Sequence, residues 1–259
     1  MTHLEGRIAV VTGAGRGIGR AIALALASRG VRLALVSRGR QELEAVAAQV
    51  RAAGGEAQVF PADLAAVDGL GTLASGIREV MGPPQILVNN AGKAESAPIG
   101  RIRDDDWDAT MTLNLVAPFV LCRHFLPDMQ RSGWGRIVNV ASTAALKGYP
   151  YTAAYTASKH GLLGLTRALS REWVGRGITV NAVCPGYVDT AIAADAAQNI
   201  ARKTGVDLDA ARLLLTAENP LGRLVRPEEV AAAVLSFLGP ESDCLSGQAL
   251  AVAAGAIEG

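Results

Sequence analysis

The sequence predicts an α/β fold, a doubly wound and mostly parallel seven-stranded sheet with helices on both faces. Three observations carry this. Short runs of Val, Ile, Leu and Ala alternate with longer amphipathic stretches, and each run is apolar throughout, as strands covered on both faces are. The first run ends in Gly13-Ala14-Gly15-Arg16-Gly17-Ile18-Gly19, a glycine-rich turn between a strand and a helix. No linker, repeat or low-complexity stretch divides the 259 residues, so a single domain, 1–259, is expected.

In chain order, residues 7–12 are the first strand and 18–29 a helix that Gly30 stops. Strand 31–37 leads to helix 41–53, closed by Gly54-Gly55. Strand 57–60 leads to helix 67–81, closed by Gly82-Pro83-Pro84, and strand 86–89 follows. Residues 105–113 and 116–131 read as two helices, the second kinked or shortened by Pro127. Strand 136–141, a long helix over 152–174 and strand 179–184 continue the alternation. Residues 190–217, rich in Ala and Asp, break the pattern and predict one or two short helices, placed to act as a lid over a substrate. Helix 227–238 and strand 249–252 finish the chain.

Composition narrows the function. At 50% hydrophobic residues the chain can bury a large core, while 19% charged residues and a formal net charge of +1 leave no footprint for nucleic acid or an anionic membrane. The N-terminus lacks the pattern of a signal peptide, and apolar runs such as 21–27 fall short of the roughly 18 residues that span a bilayer. A cytoplasmic location is therefore expected. Cys122, Cys184 and Cys244 are scattered and are expected to be buried small hydrophobes. His3 and His124 stand alone, and Asp104-Asp105-Asp106 suits a helix N-terminus better than a metal, so no metal site is expected.

Two stretches carry chemistry. Tyr155 and Lys159 are four residues apart in an alanine-rich helical segment, hence on one face, about 5–6 Å apart at Cβ. Ser142 precedes them. A phenol with an ordinary pKa of about 10 beside a fixed positive charge is expected to ionise more readily, which makes the trio a proton-transfer device. The glycine turn is the second. Its position before a helix suits a pyrophosphate, as in the dinucleotide-binding Rossmann fold, although its spacing is not GxGxxG. Tyr149 and Tyr151 have no lysine four residues on, and His160 points away from the Tyr155 face.

Taken together, these motifs resemble the short-chain dehydrogenase/reductase family. Thr12–Gly19 matches TGxxxGIG; Asn89-Asn90-Ala91-Gly92 matches NNAG; Tyr155-Thr156-Ala157-Ser158-Lys159 matches YxxxK, with Ser142 upstream; Pro185-Gly186 matches PG. The resemblance implies roles. Tyr155 would be the acid in carbonyl reduction, Lys159 would tune it and hold the nicotinamide ribose, and Ser142 would donate to the substrate oxygen. Asn114 would hold a water in a proton relay. Gly13, Gly17, Ile18 and Gly19 would hold the pyrophosphate, with Arg16 in the same turn also on the cofactor, and Asn90, Ala91 and Gly92 would continue the cofactor site. Asp63 and Leu64 would meet the adenine, while Pro185, Gly186, Val188 and Thr190 would flank the nicotinamide. The family commonly ends in a GG pair where this chain has Val252-Ala253-Ala254-Gly255. A homotetramer or homodimer would follow the family.

Cofactor choice is written at the end of the second strand. An acid there would bind a ribose 2′-hydroxyl, and an arginine a 2′-phosphate. The chain has Ser37-Arg38, with no acid before Glu42, and Arg16 adds a second charge. NADP(H) is favoured, with NAD(H) possible. Several segments resemble bacterial ketoreductases of 3-oxoacyl thioesters, so the expected enzyme moves a hydride between NADP(H) and a ketone or secondary alcohol. An NAD-dependent dehydrogenase of aryl or cyclic secondary alcohols is the alternative. A non-catalytic nucleotide-binding regulator is the remote one.

Overall fold

The computed structural model describes residues 3–217 and 219–257. Strands β1 (Ile8–Thr12), β2 (Arg32–Ser37), β3 (Ala57–Pro61), β4 (Ile86–Asn89), β5 (Gly135–Val140), β6 (Ile178–Pro185) and β7 (Ala249–Val252) form one parallel sheet, ordered β3-β2-β1-β4-β5-β6-β7. The α-helices are α1 (Gly17–Ala27), α2 (Arg40–Ala52), α3 (Leu70–Met81), α4 (Asp104–Met111), α5 (Ala117–Ser132), α6 (Ala153–Trp173), α7 (Ala191–Thr204), α8 (Leu208–Thr216) and α9 (Pro227–Ser236).

Successive side chains of a strand leave opposite faces, which explains the two-sided core. Ala9 and Val11 of β1 share a cluster with Ile22 and Leu26 of α1, Leu43 and Val46 of α2, and Val230 and Val234 of α9. Ile8 and Val10 face the other way, into a cluster with Leu70 and Ile77 of α3 and Phe125 and Met129 of α5. Phe125 is fully buried, so truncating it to alanine is worth about 3–5 kcal/mol of stability. A strand apolar throughout was the signal for this arrangement, and the arrangement is the reason for the signal.

Strand order places the site. β1 pairs with both β2 and β4, so the chain winds outward in one direction through β3 and in the other through β7. The connections diverge above the carboxyl ends of β1 and β4 and leave a crevice there, where open α/β sheets bind ligands.

Four sequence expectations are corrected. The expected break between helices 105–113 and 116–131 is absent: α4 runs into α5 through a π-helical turn over Thr112–Val116. Pro127 lies inside α5, which continues to Ser132, so the helix is not shortened there. Arg78 of α3 braces that region, donating to the His124 carbonyl and pairing at 2.6 Å with the buried Asp128. The continuous helix, 104–132, is long and apolar enough by composition to span a bilayer, beyond what the run lengths indicated; Val120, Leu121, Phe125 and Met129 spend that apolarity in the core. Among the cysteines, Cys122 and Cys184 are buried as expected but Cys244 is exposed.

Candidate active site

The glycine turn leaves β1 at Thr12. Gly13 adopts φ +64°, in the left-handed region that glycine tolerates, and a Cβ there would stand 2.8 Å from Asn90 Nδ2. A Cβ on Gly19 would overlap the Gly13 carbonyl. The turn is tied to β4: Thr12 Oγ1 accepts from the backbone N–H groups of Asn90 (2.9 Å) and Ala91 (3.0 Å), and Asn90 Nδ2 donates to the Thr12 carbonyl (2.8 Å). Asn90 and Ala91 thus brace the cradle, and Thr12, which sequence reasoning left out of the site, is its hinge pin. Arg16 precedes α1 in extended conformation, and no side chain caps the helix, so its first N–H groups stay available to an anion.

Two observations test this cradle against a dinucleotide. The glycines leave a concavity that any side chain would fill. At the end of β2 the Ser37 hydroxyl is buried without a hydrogen-bond partner, where an adenosine ribose would supply one. The residues fit the group. Arg38 is exposed beside Ser37. Leu64 is buried in the core, while Asp63 is exposed and accepts from Ala65 N at 3.0 Å. Thr190 precedes α7 and would lie 3.1 Å, at Cγ2, from a Cβ on Gly17. Pro185 and Val188 are buried; Gly186 N bonds the Val252 carbonyl at 3.1 Å, and Val188 bridges to Val225. Ile18, in the first turn of α1, packs against the core as Gly17 starts the helix.

On the other side of the crevice stand the proton-transfer groups. Ser142 lies just beyond β5, and its Oγ accepts from Ala144 N at 3.1 Å. Tyr155 and Lys159 lie one turn apart on α6. Lys159 is buried, donates from Nζ to the Val140 carbonyl at 2.8 Å, and stands 5.8 Å from the Tyr155 ring centroid. Burial pushes the Lys159 amine down to about 8. Tyr155 does not behave as the spacing predicted: removal from water pushes its phenol up, and the Ser142 hydroxyl only partly opposes this. The expected lowering by Lys159 is absent because an amine pushed down to about 8 has lost its charge before the phenol titrates.

Asn114 sits in the π-helical turn and is fully buried. Its Oδ1 accepts from Lys93 N (3.0 Å), and its Nδ2 donates to the Lys93 carbonyl (2.9 Å) and Ser158 Oγ (3.0 Å). A Cβ on Gly92 would stand 3.1 Å from Asn114 Oδ1 and 3.6 Å from Lys159 Nζ, so Gly92, Asn114 and Lys159 share one point. Ser158 was not singled out by its sequence; the spacing Tyr155–Ser158 is the only hint, and it needs the partner at Asn114 to mean anything. Tyr149 donates to Thr143 Oγ1 at 2.9 Å, Tyr151 is exposed at φ +65°, and His160 is exposed.

Residues 190–217, where a lid is expected, form two helices, α7 and α8, packed through Ala193, Ala197, Ala211 and Leu215. Asn199 Nδ2 donates to Ser96 Oγ at 3.3 Å, joining α7 to the loop after β4. Asp195, Gln198, Asn199 and Arg202, one polar face of α7, border an open surface depression of about 200 Å³.

Fold and site together define an NAD(P)-dependent oxidoreductase class, and comparison with known proteins agrees. The sequence pattern described as "short chain dehydrogenase" matches residues 7–201. The chain belongs to the short-chain dehydrogenase/reductase family. It is 36% identical over 238 residues to a 3-oxoacyl-(acyl-carrier-protein) reductase of Pseudomonas aeruginosa, covering 92% of each chain. It is also 36% identical to a D-threitol dehydrogenase of Mycolicibacterium smegmatis, covering 98% of this chain and 94% of that one. Among solved structures, a variant of actinorhodin polyketide ketoreductase with NADPH superimposes with a TM-score of 0.94 at 38% identity, over 99% of each chain.

Proposed function

We propose that this protein is an NADP(H)-dependent ketoreductase, moving a hydride between the nicotinamide and a ketone, with a 3-oxoacyl thioester or related keto compound as substrate. One observation carries the reading: Ser142, Tyr155 and Lys159 converge beyond β5, across the crevice from a glycine cradle. When bound, the nicotinamide supplies or accepts the hydride. Gly13, Gly17, Ile18 and Gly19 would hold the pyrophosphate side, Arg16, Ser37 and Arg38 the adenosine ribose and its 2′-phosphate, and Asp63 and Leu64 the adenine. Asn90, Ala91, Gly92, Pro185, Gly186, Val188 and Thr190 would border the nicotinamide half.

The side chains do the rest. Ser142 donates to the substrate oxygen as negative charge develops on it, a role worth about 10²–10³ in rate. Tyr155 gives that oxygen its proton. A phenol is protonated at neutral pH, the state that reduction requires, and burial, which raises the Tyr155 pKa, reinforces it. Lys159 holds positive charge beneath it, and Asn114, anchored by Lys93 and Ser158, would hold the water that resupplies the proton. Residues 190–217 are the lid of this single domain. The enzyme works as a homotetramer or homodimer in the cytoplasm; exposed Trp107, Val116 and Phe119 on the α4–α5 helix support self-association.

Initial rates with NADPH and NADH against β-keto thioesters, cyclic ketones and aryl alcohols test the reading. No turnover of any keto thioester with either cofactor would sink it. The second reading is an NAD-dependent dehydrogenase of a secondary alcohol; the similarity to a D-threitol dehydrogenase favours its oxidative direction.

A further inference from the structure

Arg16 and Arg38 alone would promise strong selection for a 2′-phosphate, but α2 brings an acid into the same place. Arg16 Nη1 lies 3.9 Å from Glu42 Oε1. The other carboxylate oxygen folds back over the turn before α2, 2.9 Å from where a Cβ on Gly39 would stand. It also lies 3.2 Å from the corresponding point on Gly15, and the unpartnered Ser37 Oγ lies 3.3 Å from that same point. The carboxylate, the guanidinium and the orphan hydroxyl thus ring one spot at the end of β2.

We propose that Glu42 is a specificity-determining residue that weakens the preference for the 2′-phosphorylated dinucleotide by competing with that phosphate for Arg16. The inference rests on the cofactor reading above. Glu42 is the third residue of α2, and an acid in a first turn is favoured by the helix dipole. That accounts for a carboxylate at this position but not for its approach to Arg16. A 2′-phosphate arriving beside Ser37 meets a like charge and an arginine already engaged. A 2′-hydroxyl meets an acceptor. One residue therefore pushes the two cofactors in opposite directions, with Arg38 left to attract the phosphate. Both partners are well exposed, at 71% and 50% of their side chains, so the effect is modest.

The test is calorimetric titration of the cofactor-free protein at low ionic strength with adenosine 2′,5′-bisphosphate and with 5′-AMP. Glu42→Gln is expected to tighten the bisphosphate by roughly three- to tenfold and to leave 5′-AMP unchanged or weaker. In an Arg16→Gln background that gain is expected to fall by at least half. A ratio of affinities that Glu42→Gln does not move overturns the inference, including the case where the variant only melts at lower temperature, since that marks a helix-capping role. An undiminished gain without Arg16 overturns it too. Should the wild-type protein bind neither nucleotide, the cofactor reading itself fails; a preference for the bisphosphate that ignores Glu42 defeats this inference alone.

Discussion

The glycine turn after β1 and the proton-transfer cluster after β5 stand at the same edge of one sheet, yet they are made by opposite means. The first is a backbone object: Gly13 and Gly19 are required because a side chain at either would strike Asn90 or the turn itself. The second is a side-chain object, drawn from β5's end, α6 and the π-helical turn, and held by hydrogen bonds to backbone such as Lys159 to Val140. A backbone cradle fails by steric overlap and takes the local fold with it. A side-chain cluster can lose its chemistry and leave the fold whole.

That contrast can be broken or sharpened by substitution. Tyr155→Phe should lower kcat/KM for reduction by about 10²–10⁴-fold while dinucleotide affinity and thermal midpoint stay at wild-type values; equal turnover would remove Tyr155 from the mechanism. Gly19→Ala should do the reverse in kind, destabilising the fold by about 3 kcal/mol and abolishing nucleotide binding together, as read by denaturant titration and calorimetry.

Lys159 lies between these cases. Its amine has a folded value of about 8, below the ordinary 10.5. Between those values the unfolded chain binds more protons, so stability rises as pH climbs from about 8 toward 10.5, and the charged amine is a burden below 8. Lys159→Met should therefore raise stability at pH 7 by about 1–3 kcal/mol, with a smaller gain at pH 10, while activity is lost. In the unsubstituted enzyme, kcat/KM for reduction should fall above about pH 8 as the amine discharges. A flat profile from pH 7 to 9.5 would count against a charged Lys159 in the reaction.

The smallest effect tests the backbone side of the comparison where it is imperfect. Ala254, in the turn after β7, sits at φ +51°. Family members commonly have a glycine pair in this stretch. Ala254→Gly should stabilise the protein by about 1 kcal/mol through relief of the left-handed strain, seen as a small rise in the thermal midpoint.

Much of this was legible in the residues because it is local. Seven strands showed themselves as largely apolar runs, broken by Gln58 in β3, Arg136 and Asn139 in β5 and Asn181 in β6, and the glycine turn and the Tyr155–Lys159 spacing are short-range patterns. What was not legible depends on partners far along the chain. The π-helical turn at Thr112–Val116 interrupts an α-helical sequence, and Asn114 within it bonds the backbone of Lys93. Arg78 reaches from α3 to steady α5 around Pro127. The direction of the Tyr155 shift depends on how deeply the phenol and the Lys159 amine are buried, which a spacing of four cannot say. Glu42 looked like any acid in a first helical turn until α2 was seen to bring it against Arg16.

The π-helical turn has one more consequence. Such a turn holds an extra residue within an otherwise α-helical ladder, the trace a one-residue insertion leaves. It therefore works as a phase shifter: α5 is rotated relative to α4 by about the 100° that one residue subtends. Val120, Leu121, Phe125 and Met129 meet the sheet at this rotation, while Asn114 faces inward at the shift itself. Deleting Leu113 would let the helix run straight, and either α4 or α5 would then present the wrong face to the protein. The length of this helix is thus set in single residues, although its two halves look like ordinary helix when read separately.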